Sequence, residues 1–236
     1  MNLNDAKILI TGGSSGLGKA MAEVLVEAGA KVLITGRNAK KVAEVAQQIG
    51  CLGLPFDISD YQALPNKAAE SIEKLGGIDV LINNAGIGEF PLLGEITLEH
   101  FERVFSTNVF GLTLFTQELL PHFKTQQRGS IINIASTAAL KGFARGSIYA
   151  ASKFALRALT QCWQAELRPL NIRVMQINPS EVPTAFNQAD RIEKPTVDYK
   201  LTPTEIAHSI KAVLEMDDRG MVPELSVWAT NPWGAQ

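Results

Sequence analysis

The stretch Lys7-Ile8-Leu9-Ile10-Thr11-Gly12-Gly13-Ser14-Ser15-Gly16-Leu17-Gly18 decides the fold. Residues 7–11 form a short apolar run with β-branched side chains, which predicts a strand buried on both faces. Such a strand is parallel to its neighbours and covered by helices. A helical pattern follows through Met21, Val24, Leu25 and Ala28 and closes at Gly29. The glycines lie between strand and helix. There they let backbone approach a phosphate, while the helix N-terminus offers N–H groups and the positive end of its dipole. The spacing Gly-x-x-x-Gly-x-Gly departs from the usual dinucleotide loop, Gly-x-Gly-x-x-Gly. A plain strand-to-helix turn is the bland alternative. A rival reading uses the same residues, because Gly12-x-Ser14-x-Gly16 matches the nucleophile elbow of a serine hydrolase. It is disfavoured because no strand before residue 7 could supply the oxyanion loop.

Outward from that stretch the alternation continues. Strands are expected at 31–35, 51–56, 78–82, 130–135 and 172–177, with a last short one within 221–228. Helices are expected at 41–49, at 60–74, from Thr97 (as N-cap) past Leu120, around Tyr149 to Leu167, and at 204–216 with Thr204 as cap. No linker, repeat or low-complexity segment interrupts them. The prediction is one α/β domain over 1–236. It is a Rossmann-type, doubly wound parallel sheet with helices on both faces, three layers deep. Residues 185–200 read as a substrate flap, and 89–95 as a loop at the same edge.

The bulk numbers narrow the function. The 236 residues carry a net charge of -2 and 46% hydrophobic side chains. No basic surplus favours nucleic acid or an anionic membrane. Cys51 and Cys162 match no metal-ligand spacing and read as buried thiols in a reducing compartment. The segment Met1-Asn2-Leu3-Asn4-Asp5 is too polar for a signal peptide, and apolar runs are too short to span a bilayer. A soluble cytoplasmic protein is expected. His100, His122 and His208 fall in helices away from strand ends, so neither a metal site nor a His-based nucleophile pair is expected.

Ligands of open parallel sheets gather at the carboxyl ends of the strands. The second strand ends at Gly36-Arg37, with no acid there for a ribose 2′-OH. An Arg pairs instead with a 2′-phosphate, which favours NADP(H) and leaves NAD(H) admissible. The bland alternative for Arg37 is a solvated helix start. The fourth strand ends in Asn83-Asn84-Ala85-Gly86, small residues suited to touching a ligand. The fifth ends at Ser136, within reach of Tyr149. Tyr149 and Lys153 stand at i and i+4, on one helix face. An ammonium beside a phenol favours the phenolate, lowering a pKa that is ordinarily about 10. Taken alone the pair also describes ordinary surface residues. Asn108 lies amid apolar neighbours, as a satisfied core amide or as part of a proton relay. The helices holding Asn108 and Tyr149 are apolar on more than one side, which predicts a dimer or tetramer.

The set as a whole resembles the short-chain dehydrogenase/reductase family, over nearly the whole chain. It comprises Thr11-Gly12-x-x-x-Gly16-x-Gly18, Asp57, Asn83-Asn84-Ala85-Gly86, Asn108, Ser136, Tyr149-x-x-x-Lys153, and Asn178-Pro179 with Val182 and Thr184. The branch most similar is that of 3-oxoacyl-(acyl-carrier-protein) reductases. The resemblance implies that Gly12, Ser14, Ser15, Gly16, Leu17 and Gly18 hold the pyrophosphate and adenosine ribose. It implies Asp57 and Ile58 at the adenine, Asn84, Ala85 and Gly86 along the adenosine side, and Pro179, Val182 and Thr184 at the nicotinamide. Tyr149 would be the proton donor, Lys153 its partner and a ribose ligand, Ser136 the hydrogen bond to the substrate oxygen, and Asn108 the anchor of a water. The activity implied is interconversion of a ketone and a secondary alcohol, with an acyl thioester as the narrower substrate. A non-catalytic NADP-binding regulator is the alternative. Two features depart from the family: Ser180 stands where it usually has Gly, and the C-terminal Pro223-Glu224-Leu225-Ser226-Val227-Trp228 lacks the common Asp-Gly-Gly.

Overall fold

A computed structural model describes residues 1–186 and 195–234. In chain order the strands are β1 (Lys7–Ile10), β2 (Lys31–Gly36), β3 (Leu52–Pro55), β4 (Val80–Asn83), β5 (Gly129–Ile134), β6 (Ile172–Pro179) and β7 (Glu224–Val227). The longer helices are α1 (Gly16–Glu27), α2 (Ala39–Ile49), α3 (Leu64–Leu75), α4 (Leu98–Phe105), α5 (Leu112–Gln126), α6 (Ser147–Leu167) and α7 (Pro203–Glu215). The strands form one parallel sheet in the order β3-β2-β1-β4-β5-β6-β7. The order reverses between β1 and β4, so a crevice opens at their carboxyl ends.

The apolar runs conceal a period of two. Ile8, Ile10, Val32, Ile34, Val80 and Ile82 point to one layer, where Met21, Leu25, Val42 and Ile210 of α1, α2 and α7 cover them. Leu9, Leu33, Leu81, Ile131 and Val174 point to the other, under Ala68, Phe115, Leu119 and Leu167 of α3, α5 and α6. Covering both faces makes the central strands largely apolar, and each fully buried Val, Leu or Ile side chain there contributes about 1.5–3 kcal/mol.

Four details differ from the sequence expectations. Helix α7 is capped by Thr202, not Thr204: its hydroxyl accepts from the Glu205 N–H, and Glu205 returns a bond to the Thr202 N–H at 2.7 Å. Pro203 then occupies the first turn, where its missing N–H is no loss. The helix expected from residue 60 begins at Leu64, behind a run of turns. The long helix after Thr97 is broken by a π-turn over Ser106–Gly111, which holds Asn108. The last strand shortens to Glu224–Val227. Of the flap placed at 185–200, residues 187–194 lie outside the described residues.

Candidate active site

The glycine loop is shaped by contacts that exclude side chains. Gly12 and Gly16 take φ of +65° and +52°, the left-handed region that favours glycine. A Cβ on Gly18 would fall 2.3 Å from the Gly12 carbonyl and 2.5 Å from Asn84 Nδ2. The loop is stitched to the end of β4. The Thr11 hydroxyl accepts from the Asn84 and Ala85 N–H groups, both at 3.0 Å, and Asn84 Nδ2 donates to the Thr11 and Gly12 carbonyls at 2.9 and 3.0 Å. The Asn84 amide is thus spent on the loop itself. The Ser15 side chain does not cap α1, so the helix turns its N-terminus to the cavity, the arrangement that receives phosphate.

That cavity measures about 1010 Å³ and runs along the carboxyl ends of the strands. Gly12, Ser14, Ser15, Gly16 and Leu17 line it beside Arg37, Asp57 and Ile58. Asn84, Ala85, Gly86, Ser136, Tyr149, Lys153, Pro179, Val182 and Thr184 line it further along. Nearly every residue singled out in the sequence therefore meets in one cleft. Gly18 and Asn108 stand just behind it, Gly18 as the packing point of the loop. Arg37 and Asp57 face each other at 3.9 Å, both well exposed. Asp57 Oδ1 accepts from the Ser59 N–H and hydroxyl at 2.9 and 2.7 Å, which fixes its carboxylate. The cavity's size and the loop's glycine-shaped cradle fit a dinucleotide. No histidine lines the cavity, which leaves Ser14 without the base a hydrolase needs. Among the described residues no three His, Cys, Asp or Glu side chains gather as a metal site, and no helix is long and apolar enough to cross a membrane.

At the other end Ser136 closes β5 and Tyr149 rises from the first turn of α6. Buried polar bonds fix these two elements together: Asn133 Nδ2 on β5 donates to Thr160 Oγ1 on α6 at 2.8 Å, while Asn133 Oδ1 accepts from Asn83 Nδ2 at 3.0 Å. The Lys153 ammonium lies 5.7 Å from the centre of the Tyr149 ring and donates to the Ile134 carbonyl at 2.9 Å. Burial pushes its pKa down from 10.5 to about 8. Burial also pushes the Tyr149 phenol up to about 12, against a smaller opposing effect of its hydrogen bond with Ser136. This corrects the expectation that Lys153 holds the phenol down. Desolvation of the phenolate is the larger cause here.

Asn108 is a satisfied amide. Its Nδ2 donates to the Ile87 carbonyl at 2.8 Å and to Ser152 Oγ at 3.0 Å, and its Oδ1 accepts from the Ile87 N–H at 2.9 Å. It pins the segment after β4 to α6. A Cβ on Gly86 would lie 3.4 Å from Asn108 Oδ1 and 3.8 Å from Lys153 Nζ, so both groups border the same spot.

Sequence reasoning missed Ser152, Phe90, Phe143 and Phe186. Phe90 and Phe186 pack on Tyr149 with ring centroids 5.5 and 5.6 Å away, and Phe143 packs on Phe90 at 6.1 Å. The only available signal was that these aromatics follow strand ends. Phe90 did fall in the 89–95 loop expected to border the substrate.

Comparison with known proteins agrees with this geometry. The family model described as short chain dehydrogenase matches residues 6–195. An NADP-dependent 3-hydroxy acid dehydrogenase of Schizosaccharomyces pombe is 30% identical, across 99% of this chain and 96% of its own. Among solved structures, a 3-ketoacyl-(acyl-carrier-protein) reductase from Brucella melitensis complexed with NADH superposes with TM-score 0.88 at 29% identity, covering 98% of this chain and 99% of its own. An alcohol dehydrogenase from the archaeon Thermococcus sibiricus, complexed with 5-hydroxy-NADP, superposes with TM-score 0.85 at 26% identity over 95% and 97%.

Proposed function

The chain belongs to the short chain dehydrogenase family, an oxidoreductase acting on CH–OH groups, and from that premise we propose that it reduces a ketone with NADPH through Tyr149, Ser136 and Lys153. The observation that carries this reading is the single cleft: the Tyr149–Ser136 pair at one end, the glycine loop and Arg37 at the other.

NADP(H), when bound, supplies or accepts the hydride. Gly12 to Gly18 and the α1 N-terminus would hold its phosphates, Asp57 and Ile58 its adenine, and Ala85 and Gly86 its adenosine side. Arg37 would meet the 2′-phosphate. Pro179, Val182 and Thr184 would hold the nicotinamide end. Thr184 also borders the glycine loop, since a Cβ on Gly16 would lie 3.2 Å from the Thr184 Cβ.

The phenol does the proton work. With a pKa near 12, Tyr149 is protonated at neutral pH and can give its proton to the oxygen of a ketone as that carbon gains hydride. The Ser136 hydroxyl holds the same oxygen. Lys153, largely cationic at neutral pH, favours the phenolate left behind and offers N–H donors to a ribose. Asn108 sits beside Lys153 where a water could carry the replacement proton. A protonated phenol suits reduction better than oxidation, which needs a base. The protein's contribution is position and electrostatics.

Tyr149→Phe is the test. It should lower kcat by roughly 10²–10⁴ while NADPH affinity, followed by fluorescence, stays within about twofold. Turnover near that of the wild type would remove Tyr149 from its role. The narrower reading, a 3-oxoacyl thioester substrate, draws on the similarity to the Brucella reductase. A cytoplasmic homodimer or homotetramer completes the proposal. In support, Phe110 and Phe154, on the π-turn after α4 and on α6, are 50% and 43% exposed, and the rings of Phe101, Phe105 and Phe110 pack in series at 5.8 and 6.1 Å.

A further inference from the structure

Three phenylalanines from three segments converge on the proton donor. Phe90 follows β4, Phe143 follows β5 and Phe186 follows β6. Their rings are tilted to one another and to Tyr149 by 39–58°, at centroid separations of 5.5 to 6.1 Å. Tilted pairs leave ring faces and edges open for a further ring to join.

The wall is held at its mouth by backbone geometry. Arg145 takes φ of +66°, a conformation that side-chain-bearing residues seldom adopt. There its Nε donates to the Phe90 carbonyl at 2.9 Å, tying the loop after β5 to the loop after β4. The Gly146 N–H donates to the Phe143 carbonyl at 3.0 Å. A Cβ on Gly146 would fall 2.7 Å from the Phe143 ring, so that ring lies directly on the glycine. Phe143 is nevertheless 50% exposed. Its uncovered face gains burial only when something apolar enters the cleft.

The charges nearby are mostly committed. Arg145 serves the Phe90 carbonyl, Lys153 the Ile134 carbonyl, and Glu181 pairs with Lys200. Lys141, on the loop after β5, is an exposed cation that also lines the cleft. Among the described residues, a carboxylate set among the three rings would lose its water without gaining a buried partner.

We propose that this wall selects an uncharged ketone bearing an aromatic ring beside its carbonyl, with Arg145 as the positioning residue that sets the wall. The inference rests on the reductase reading and sets an aromatic ketone in place of the 3-oxoacyl thioester suggested by the Brucella reductase.

The experiment compares NADPH-dependent reduction of acetophenone, acetoacetate and an acetoacetyl thioester by the whole chain. Acetophenone should give the highest kcat/KM, by tenfold or more. Phe143→Ala should raise the acetophenone KM by roughly tenfold, the order of one lost ring pair, and move kcat less. Arg145→Met should raise the same KM and leave NADPH affinity as it was, which a general loss of structure would not do. Saturation-transfer NMR should show acetophenone bound to the wild type and not to Phe143→Ala. Preference for acetoacetate or the thioester, abolished in Lys141→Met, would overturn the inference and leave the reductase reading standing. Failure to reduce any carbonyl would take down that reading and this one with it.

Discussion

Replacing Lys153 by Met should make the cofactor-free protein more stable while disabling it. Lys153 is 5% exposed, and burial moves its pKa from 10.5 to about 8. At about 1.4 kcal/mol per unit, holding the ammonium inside costs about 3 kcal/mol at neutral pH. Met has similar reach and no charge. It leaves the Ile134 carbonyl, which accepts from Lys153 Nζ at 2.9 Å, without that donor, a loss of about 1 kcal/mol. The net gain at pH 7 is about 2 kcal/mol, or roughly 4–8 °C in Tm for a chain of this length. The pH dependence is the sharper test. The folded pKa lies below the unfolded one, so between pH 8 and 10.5 the unfolded chain binds more protons and the wild type gains stability as pH rises. Through that window it should recover about 3 kcal/mol against the variant, so the variant's advantage should turn into a deficit of about 1 kcal/mol. Groups that titrate alike in both proteins cancel in the difference. Urea unfolding of both proteins from pH 7 to pH 10.5 reads the effect directly. A variant less stable than the wild type at pH 7, or a difference that stays flat with pH, would refute the argument that burial dominates this site.

Arg37→Ala should raise KM for NADPH by roughly tenfold, the lower end for a charge-assisted hydrogen bond at an exposed site, and KM for NADH by less than about twofold; equal effects on the two would sink the 2′-phosphate assignment. Gly18→Ala should destabilise the fold by about 1–3 kcal/mol and weaken dinucleotide binding, because its Cβ meets the Gly12 carbonyl at 2.3 Å; denaturant midpoints and NADPH fluorescence check both. Light scattering after size exclusion should find a dimer or tetramer at micromolar concentration, shifted toward monomer by Phe110→Asp; a monomeric wild type would discard the interface reading.

The sheet was legible because burial on both faces writes strands as unbroken apolar runs, and the helices between them carry capping and glycine signals. What eluded sequence was set by neighbours distant in the chain. The π-turn at Asn108 has no local signature, and the partners of the amide it carries, Ile87 and Ser152, lie far away in the chain. The α7 cap shifted by two residues because Thr202 and Thr204 both precede acceptable helix starts, and only Glu205 reaching back to Thr202 separates them. The positions of the candidate site were largely visible, since strand ends converge in any open parallel sheet. The aromatic wall was not, because three separated phenylalanines carry no common spacing.

The electrostatics show the same division more sharply. Spacing alone puts Lys153 one turn from Tyr149 and implies a phenol made acidic by its neighbour. Spacing cannot report that the ammonium turns to the Ile134 carbonyl, nor that Phe90 and Phe186 flank the phenol. Both groups therefore move toward their neutral forms: Lys153 falls to about 8 and Tyr149 rises to about 12. A pair tuned only by proximity would hold a phenolate ready as a base. This pair holds a protonated phenol beside a cation whose charge burial disfavours. Proximity along a helix fixes which groups meet; the dry surroundings at the sheet end fix how far each is pushed toward its neutral form.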